Sequence, residues 1–189
     1  VFETLYDIGE NAEVVPLLAE GLPEYSADGL QVTIRLKEGR TFHDGTPIDA
    51  AAVKASLERG QTLPGSTVAS TLRQVTAVDA VDGATVRLTL AAPRPGFEAE
   101  LSGPAGALMS PAAIQSGRDL GLDPGDAGSG PYRVAEFVPN EKVAYDNSDD
   151  YWLEDRGRVA AVEIIHVSDY NTGLSALQSG QVDAAYANN

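Results

Sequence analysis

The chain offers two histidines, and each has a carboxylate close by in sequence: His43 beside Asp44, and His166 three residues before Asp169. A protein-held metal needs several such ligands converging, and neither pair supplies more than two locally. Cysteine is absent, which excludes disulfides, thiolate zinc sites and thiol nucleophiles within this chain. A serine hydrolase would need a Gly-x-Ser-x-Gly elbow after a strand; Gly128-Ser129-Gly130 lacks that spacing and precedes a strand-like run. The adjacent acids Asp149-Asp150 and Glu154-Asp155 could divide acid and base work, but they stand in a polar stretch where carboxylates are ordinarily solvated. Asp123 to Gly130 is glycine-rich without running from a strand into a helix, so it makes no phosphate cradle. Tyr151-Trp152 is either an aromatic wall for a ligand or a plug packing its loop onto the core, and the acidic and charged flanks favour the plug. Together these residues imply no catalytic group, no metal and no cofactor.

The elements that would position these residues follow from periodicity. Leu30, Val32, Ile34 and Leu36 alternate with polar residues, a half-buried strand entered through the Ser26-Ala27-Asp28-Gly29 turn. Glu38-Gly39 turns the chain, and Arg40 to His43 is expected to return as a strand. Asp44-Gly45 is a tight turn, Asp49 an N-cap, and Ala50 to Arg59 a helix stopped by Gly60. Ala51, Val53, Ala55 and Leu57 are its expected inner face. A short helix is expected over Thr67 to Gln74. Val75–Val81 and Thr85–Leu90 flank Asp82-Gly83 as a hairpin. Short helices are expected from Phe97 and from Ser110-Pro111, and Gly117 to Gly130 reads as a surface connection. Pro131–Phe137 and Lys142–Asp146 form a second hairpin, Val159–Val167 a strand, Asn171–Ser179 a helix ended by Gly180, and Val182–Tyr186 a strand. This last β-α-β run favours an α/β sheet with parallel pairing.

The 189 residues suffice for one or two domains. With 43% hydrophobic and 22% charged residues, the composition is that of a globular chain. A formal charge of −15 excludes a nucleic-acid surface and docking on an anionic membrane. There is no apolar run of the roughly 20 residues a bilayer span needs. The chain opens inside an apolar run and closes straight after a strand-like one, as a piece cut from a longer protein would.

Several stretches, in order, resemble the family 5 extracellular solute-binding proteins of ABC importers, the oligopeptide-, dipeptide- and nickel-binding group. FETLYD is similar to that family's Tyr-Glu-x-Leu segment, with Phe2 for Tyr. VVPLLAEGLPEYSADGLQVTIRLKEGRTFHDGTPIDAAAV resembles its run from Pro-x-Leu-Ala-Glu through Phe-His-Asp-Gly-x-Pro, with Ala51 and Ala52 where an acidic pair is usual. GSGPYRV resembles its Gly-Thr-Gly-Pro-Tyr segment with Ser129 for Thr, DNSDDYW its Tyr-Trp loop, and LSALQSGQVDAA its Leu-Gln-x-Gly-x-Val-Asp segment.

The resemblance implies a two-lobed binding protein of the periplasmic-binding-protein type II class that closes about a hinge. The fold class is then α/β, a mixed sheet with flanking helices plus an extra α+β subdomain, with the second lobe absent. Residues 1–5 and 128–189 would form the α/β subdomain, residues 6–127 the extra one, and the hinge would follow Asn189. His43 would bond backbone within a turn joining strand to helix. The implied protein is a bacterial extracytoplasmic monomer, periplasmic or a cell-surface lipoprotein. It would do no chemistry, hold a small solute such as an oligopeptide, and deliver it to permease subunits. Alternatives are a non-peptide solute such as a nickel chelate or oligosaccharide, a hydrolase lobe using paired carboxylates, or a free-standing interaction module.

Ligands of open α/β sheets sit at the carboxyl ends of strands, and peptide receptors need accessible backbone. Those two requirements select Tyr6, Asp7, Ser102, Gly103, Pro104, Ala105, Gly128, Ser129 and Gly130, with Asp7 suited to a ligand amine. The small residues would serve equally as joints between subdomains.

Overall fold

The computed structural model describes residues 1–148, 151–154 and 156–186. The Asp149-Asp150 pair, Asp155 and the hinge position after Asn189 lie outside them. In chain order the strands and helices are β1 (Tyr6–Ile8), β2 (Val14–Pro16), β3 (Glu24–Tyr25), β4 (Gln31–Arg35), α1 (Ala50–Thr62), α2 (Ala69–Leu72), β5 (Val75–Ala80), β6 (Thr85–Leu90), α3 (Phe97–Glu100), α4 (Pro111–Gln115), β7 (Tyr132–Val138), β8 (Lys142–Asn147), β9 (Ala161–Ile165) and α5 (Tyr170–Gln178). They build three sheets: β1-β2, β3-β4-β6-β5 and β7-β8-β9.

The four-stranded sheet carries the main core. Val32 and Ile34 of β4 and Val86, Leu88 and Leu90 of β6 are buried on one face, as the alternation requires. Helix α1 covers that face with Ala50, Ala52, Val53, Ser56 and Leu57. The expected inner face is thereby corrected at Ala51, which is exposed, and at Ala55, which is half-buried. The helix is rotated so that Ser56 can turn inward: its hydroxyl donates to the Ala52 carbonyl at 2.8 Å and accepts from the Met109 amide at 2.9 Å. Asp49 caps the helix, accepting from the Ala52 amide at 2.8 Å.

Gly60 does not stop α1, which runs on to Thr62. A Cβ placed on Gly60 would stand 2.5 Å from Leu72 Cδ1, so the glycine serves the close approach of α2 rather than a left-handed cap. Arg40 to His43 forms no strand; only an isolated bridge joins Thr41 to Pro47 around the His-Asp-Gly turn. The helix expected over Thr67–Gln74 contracts to the four residues of α2.

Both hairpins form, β5–β6 and β7–β8, and β9 adds antiparallel to β8. The parallel pairing expected of the last third is absent among the described residues, and Val182–Tyr186 is not a strand. A strand requires a neighbouring backbone to pair with, and no described segment offers this one a ladder.

Candidate ligand-binding site

Residues Val1 to Ile8 form a spine gripped by segments far away in sequence. The Val1 carbonyl accepts from the Ser129 amide at 3.0 Å and the Gly130 amide at 2.7 Å. The Glu3 carbonyl accepts from Leu108, and the Leu5 and Tyr6 amides donate to the Gly106 and Leu101 carbonyls at 3.1 and 3.4 Å. On the other side Leu5 takes up the backbone of Leu17 and Ala19. Backbone pairing thus grips the segment from both sides.

At one end of the spine sits His43. Its amide donates to the Gly128 carbonyl and its Nε2 bonds the Gly130 carbonyl, both at 2.8 Å. Neighbouring Asp44 faces away from the ring. Its carboxylate accepts from the Thr46 amide at 2.9 Å, from the Thr46 hydroxyl at 2.6 Å, and from the Ser110 hydroxyl. Burial raises the Asp44 pKa, but these bonds and the Arg118 charge outweigh it and hold the group below its ordinary value. The His-Asp pair is therefore a turn, not a catalytic dyad. His166 and Asp169 likewise part: His166 pairs through its backbone with Glu141, and Asp169 caps α5 through the Thr172 amide at 3.0 Å. Among the described residues no three potential metal ligands converge.

The nine candidate positions fall into two places. Tyr6, Asp7 and Ser102 to Ala105 lie together, with α3 packed against both β1 and the 3-10 turn Pro104–Gly106, whose Gly106 carbonyl accepts from the Leu5 amide. Tyr6 is fully buried, and its ionisation is pushed up by that burial and by nearby Glu98 and Tyr25. It faces the core and offers a solute only neighbouring backbone. Asp7 is occupied, its carboxylate 2.9 Å from Arg156 Nη2. Ser102 bonds the Ala99 carbonyl, Ser102 and Gly103 are half-buried, Pro104 is exposed and Ala105 is buried. Gly128, Ser129 and Gly130 lie buried at the other end of the spine. A Cβ on Gly128 would stand 2.3 Å from the Val1 carbonyl oxygen, so the position is a joint that only glycine fits. The Ser129 hydroxyl is buried with no hydrogen-bond partner.

A third grouping was not among the candidates. Glu3 is 4% exposed, and one carboxylate oxygen accepts from the Tyr151 hydroxyl at 2.8 Å and Trp152 Nε1 at 3.0 Å. Lys37 and Arg40 lie over the same indole, at 4.9 and 4.4 Å from the ring centroid. Tyr151-Trp152 is thus the plug rather than the wall, closing its loop onto the spine. A lone acid inside Val-Phe-Glu-Thr-Leu-Tyr was the available signal: a carboxylate buried by its neighbours demands donors, and Tyr and Trp supply them.

Chains of known structure share this fold. One is the binding protein AgaA from A. tumefaciens R10 in complex with agropinic acid, with TM-score 0.84, 29% identity, 96% of this chain covered and 37% of that one. Another is NikZ from Campylobacter jejuni in complex with Ni(L-His), with TM-score 0.85, 25% identity, 96% of this chain covered and 36% of that one. The fold is accordingly part of a protein of the periplasmic-binding-protein type II class. Residues 13–189 match the family model described as bacterial extracellular solute-binding proteins, family 5 Middle, and the chain belongs to that family. The glutathione-binding protein GsiB of Pectobacterium atrosepticum is 32% identical over 187 residues, 98% of this chain and 36% of the relative. The chain thus spans about a third of the length of the curated relatives it matches.

Proposed function

We propose that the chain is part of the first lobe of an extracytoplasmic receptor that captures a small peptide and hands it to the permease of an ABC importer, without chemistry on the ligand. The observation that carries this is the family match over residues 13–189. Residues 1–5 and 128–189 serve as the α/β subdomain and residues 6–127 as the extra one. The solute lies against the exposed part of the first candidate grouping, Ser102 to Pro104 and the neighbouring backbone, with Asp7 released from Arg156 to meet a ligand amine. Gly128 to Gly130 act as the joint. No described helix is long and apolar enough to cross a membrane. The permease is a separate partner, and the receptor works as a monomer at the outer face of a bacterial membrane, free or lipid-anchored.

A peptide is favoured over other solutes because a relative with 32% identity is named for binding glutathione, itself a tripeptide. A metal chelate is the second reading, supported by the likeness to a NikZ chain holding Ni(L-His). Thermal-shift screening of the full-length protein separates them. Stabilisation by glutathione or short peptides, and none by nickel–histidine or oligosaccharides, is the expected result. Stabilisation by the nickel chelate alone would replace the peptide reading with the second one. This chain by itself should bind peptide weakly or not at all.

A further inference from the structure

Asp7, the proposed acceptor of a ligand amine, already holds a cation of this chain. One of its oxygens accepts from the Ile8 amide at 2.8 Å and the other from Arg156 Nη2 at 2.9 Å. Guanidinium and ammonium are both charged donors to carboxylate, so they compete for the same oxygen. The segment that carries Arg156 runs alongside the spine. Trp152 bonds Glu3, and Arg156 bonds Asp7, four residues further along on both segments.

The two ends of this contact differ in strength. At the Glu3 end the carboxylate is buried, Tyr151 and Trp152 donate to it, and Lys37 and Arg40 lie over the indole. Breaking that end leaves a buried acid without its donors, which is costly. At the Asp7 end the side chains are 51% exposed on Arg156 and 31% on Asp7. Water screens such a pair, so it contributes little and exchanges readily. The Glu3 end therefore fixes the segment, and the Asp7 end is free to open without it.

We infer that Arg156 is an internal competitor for the amine of the solute. It occupies Asp7 until a ligand ammonium displaces it, so the Asp7 contact is open only to a solute with a free, charged amine. By keeping part of the population in the paired form, it lowers the apparent affinity for such a solute and leaves an amine-blocked one unaffected. The inference rests on the peptide reading above and adds to it the residue that sets the affinity for the amine.

The full-length protein is titrated calorimetrically with glutathione and with trialanine, each beside its N-acetylated form. Arg156→Gln should tighten free-amine binding about two- to sixfold, the range that a screened ion pair allows, and leave binding of the acetylated forms unchanged. Arg156→Lys keeps the charge and should return most of the difference. Asp7→Asn should weaken free-amine binding about fivefold, and in the double variant it should cancel the gain from Arg156→Gln. Peptide binding that Arg156→Gln leaves unchanged, or tightens equally for the acetylated forms, would overturn the competitor and leave the peptide reading standing. No binding of any of the four compounds by wild type or by Arg156→Gln would overturn both.

Discussion

Residues Leu5 to Leu108 and residues 131–186 are built from equally regular hairpins, yet only the first region has an interior. Every member of the large core cluster lies between Leu5 and Leu108, including fully buried Tyr6, Ile34, Leu57, Leu88 and Phe97. A small cluster of Ala113, Leu120 and Ala127 follows, and beyond Ala127 no described hydrophobic residue is buried. There, Ile164 is 57% exposed and Tyr170 58%. Phe2, Val134, Phe137 and Val143 line an open apolar cavity of about 290 Å³. The difference separates pattern from packing. Alternation and caps suffice to specify β7, β8, β9 and α5, but burial of roughly 1.5–3 kcal/mol per large side chain is realised only where a second layer lies on top. The first region has α1 as that layer.

The sharpest way to break the comparison is one truncation in each region. Leu57→Ala removes a side chain enclosed between α1 and the four-stranded sheet, and should destabilise the chain by about 2–5 kcal/mol. Ile164→Ala removes one that is more than half in water, and should cost within about 0.5 kcal/mol. Urea midpoints at constant slope measure both. Comparable losses would mean that the last third is as closed as the first.

The two helix caps sharpen it further, because the local chemistry is the same. Asp49 accepts from the Ala52 amide at 2.8 Å, and Asp169 from the Thr172 amide at 3.0 Å. Asp49→Ala should lower global stability by about 1 kcal/mol, since α1 is part of the main core. Asp169→Ala should reduce the helicity of α5 with little change in the main urea transition, since α5 buries only Gly173. Hydrogen exchange at the amides of each helix separates global from local opening.

What could be read from the sequence tracks the same divide. Strands β4, β5, β6, β7 and β8 and the Asp49 cap were legible because their signals are local: period two, a turn pair, an acid before a helix. The Val1–Ile8 spine was not, because its partners are residues such as Gly106, Leu108, Ser129 and Gly130, which no local pattern links to it. Gly60 reads as a helix stop until Leu72 is seen against it. Val182–Tyr186 has strand composition, but composition supplies no partner. In the candidate site, the carboxyl-end rule selects Tyr6 and Ser102 to Ala105 from the sequence alone. It could not tell that the Tyr6 ring turns inward or that Arg156 occupies Asp7. The Glu3 latch needed only the physical cost of a buried acid to be noticed.

The smallest expected effect tests the seam between the two regions. His43 belongs to the turn below α1 and bonds the Gly128 and Gly130 carbonyls, while its Nδ1 is buried with no partner. Desolvation lowers its pKa; the Gly130 carbonyl opposes this, Arg133 and the Val1 amino group add to it, and Asp126 partly offsets them. A base whose folded pKa lies below its unfolded value of about 6.5 binds protons more readily when unfolded. Stability is therefore flat above pH 6.5, falls as the pH drops from there to the folded pKa, and levels off once both states are protonated. Asp44, whose folded pKa lies below its ordinary value of 3.8, starts to lose its contribution only near that value, whereas the His43 decline sets in near pH 6.5. Urea midpoints measured between pH 7.5 and 5 should show a decline in the wild type that is shallower in His43→Gln, the remainder belonging to the Val1 amino group, whose pKa burial also lowers from 8.0. A decline of unchanged slope after the substitution would assign the whole titration to other groups and leave His43 indifferent to pH.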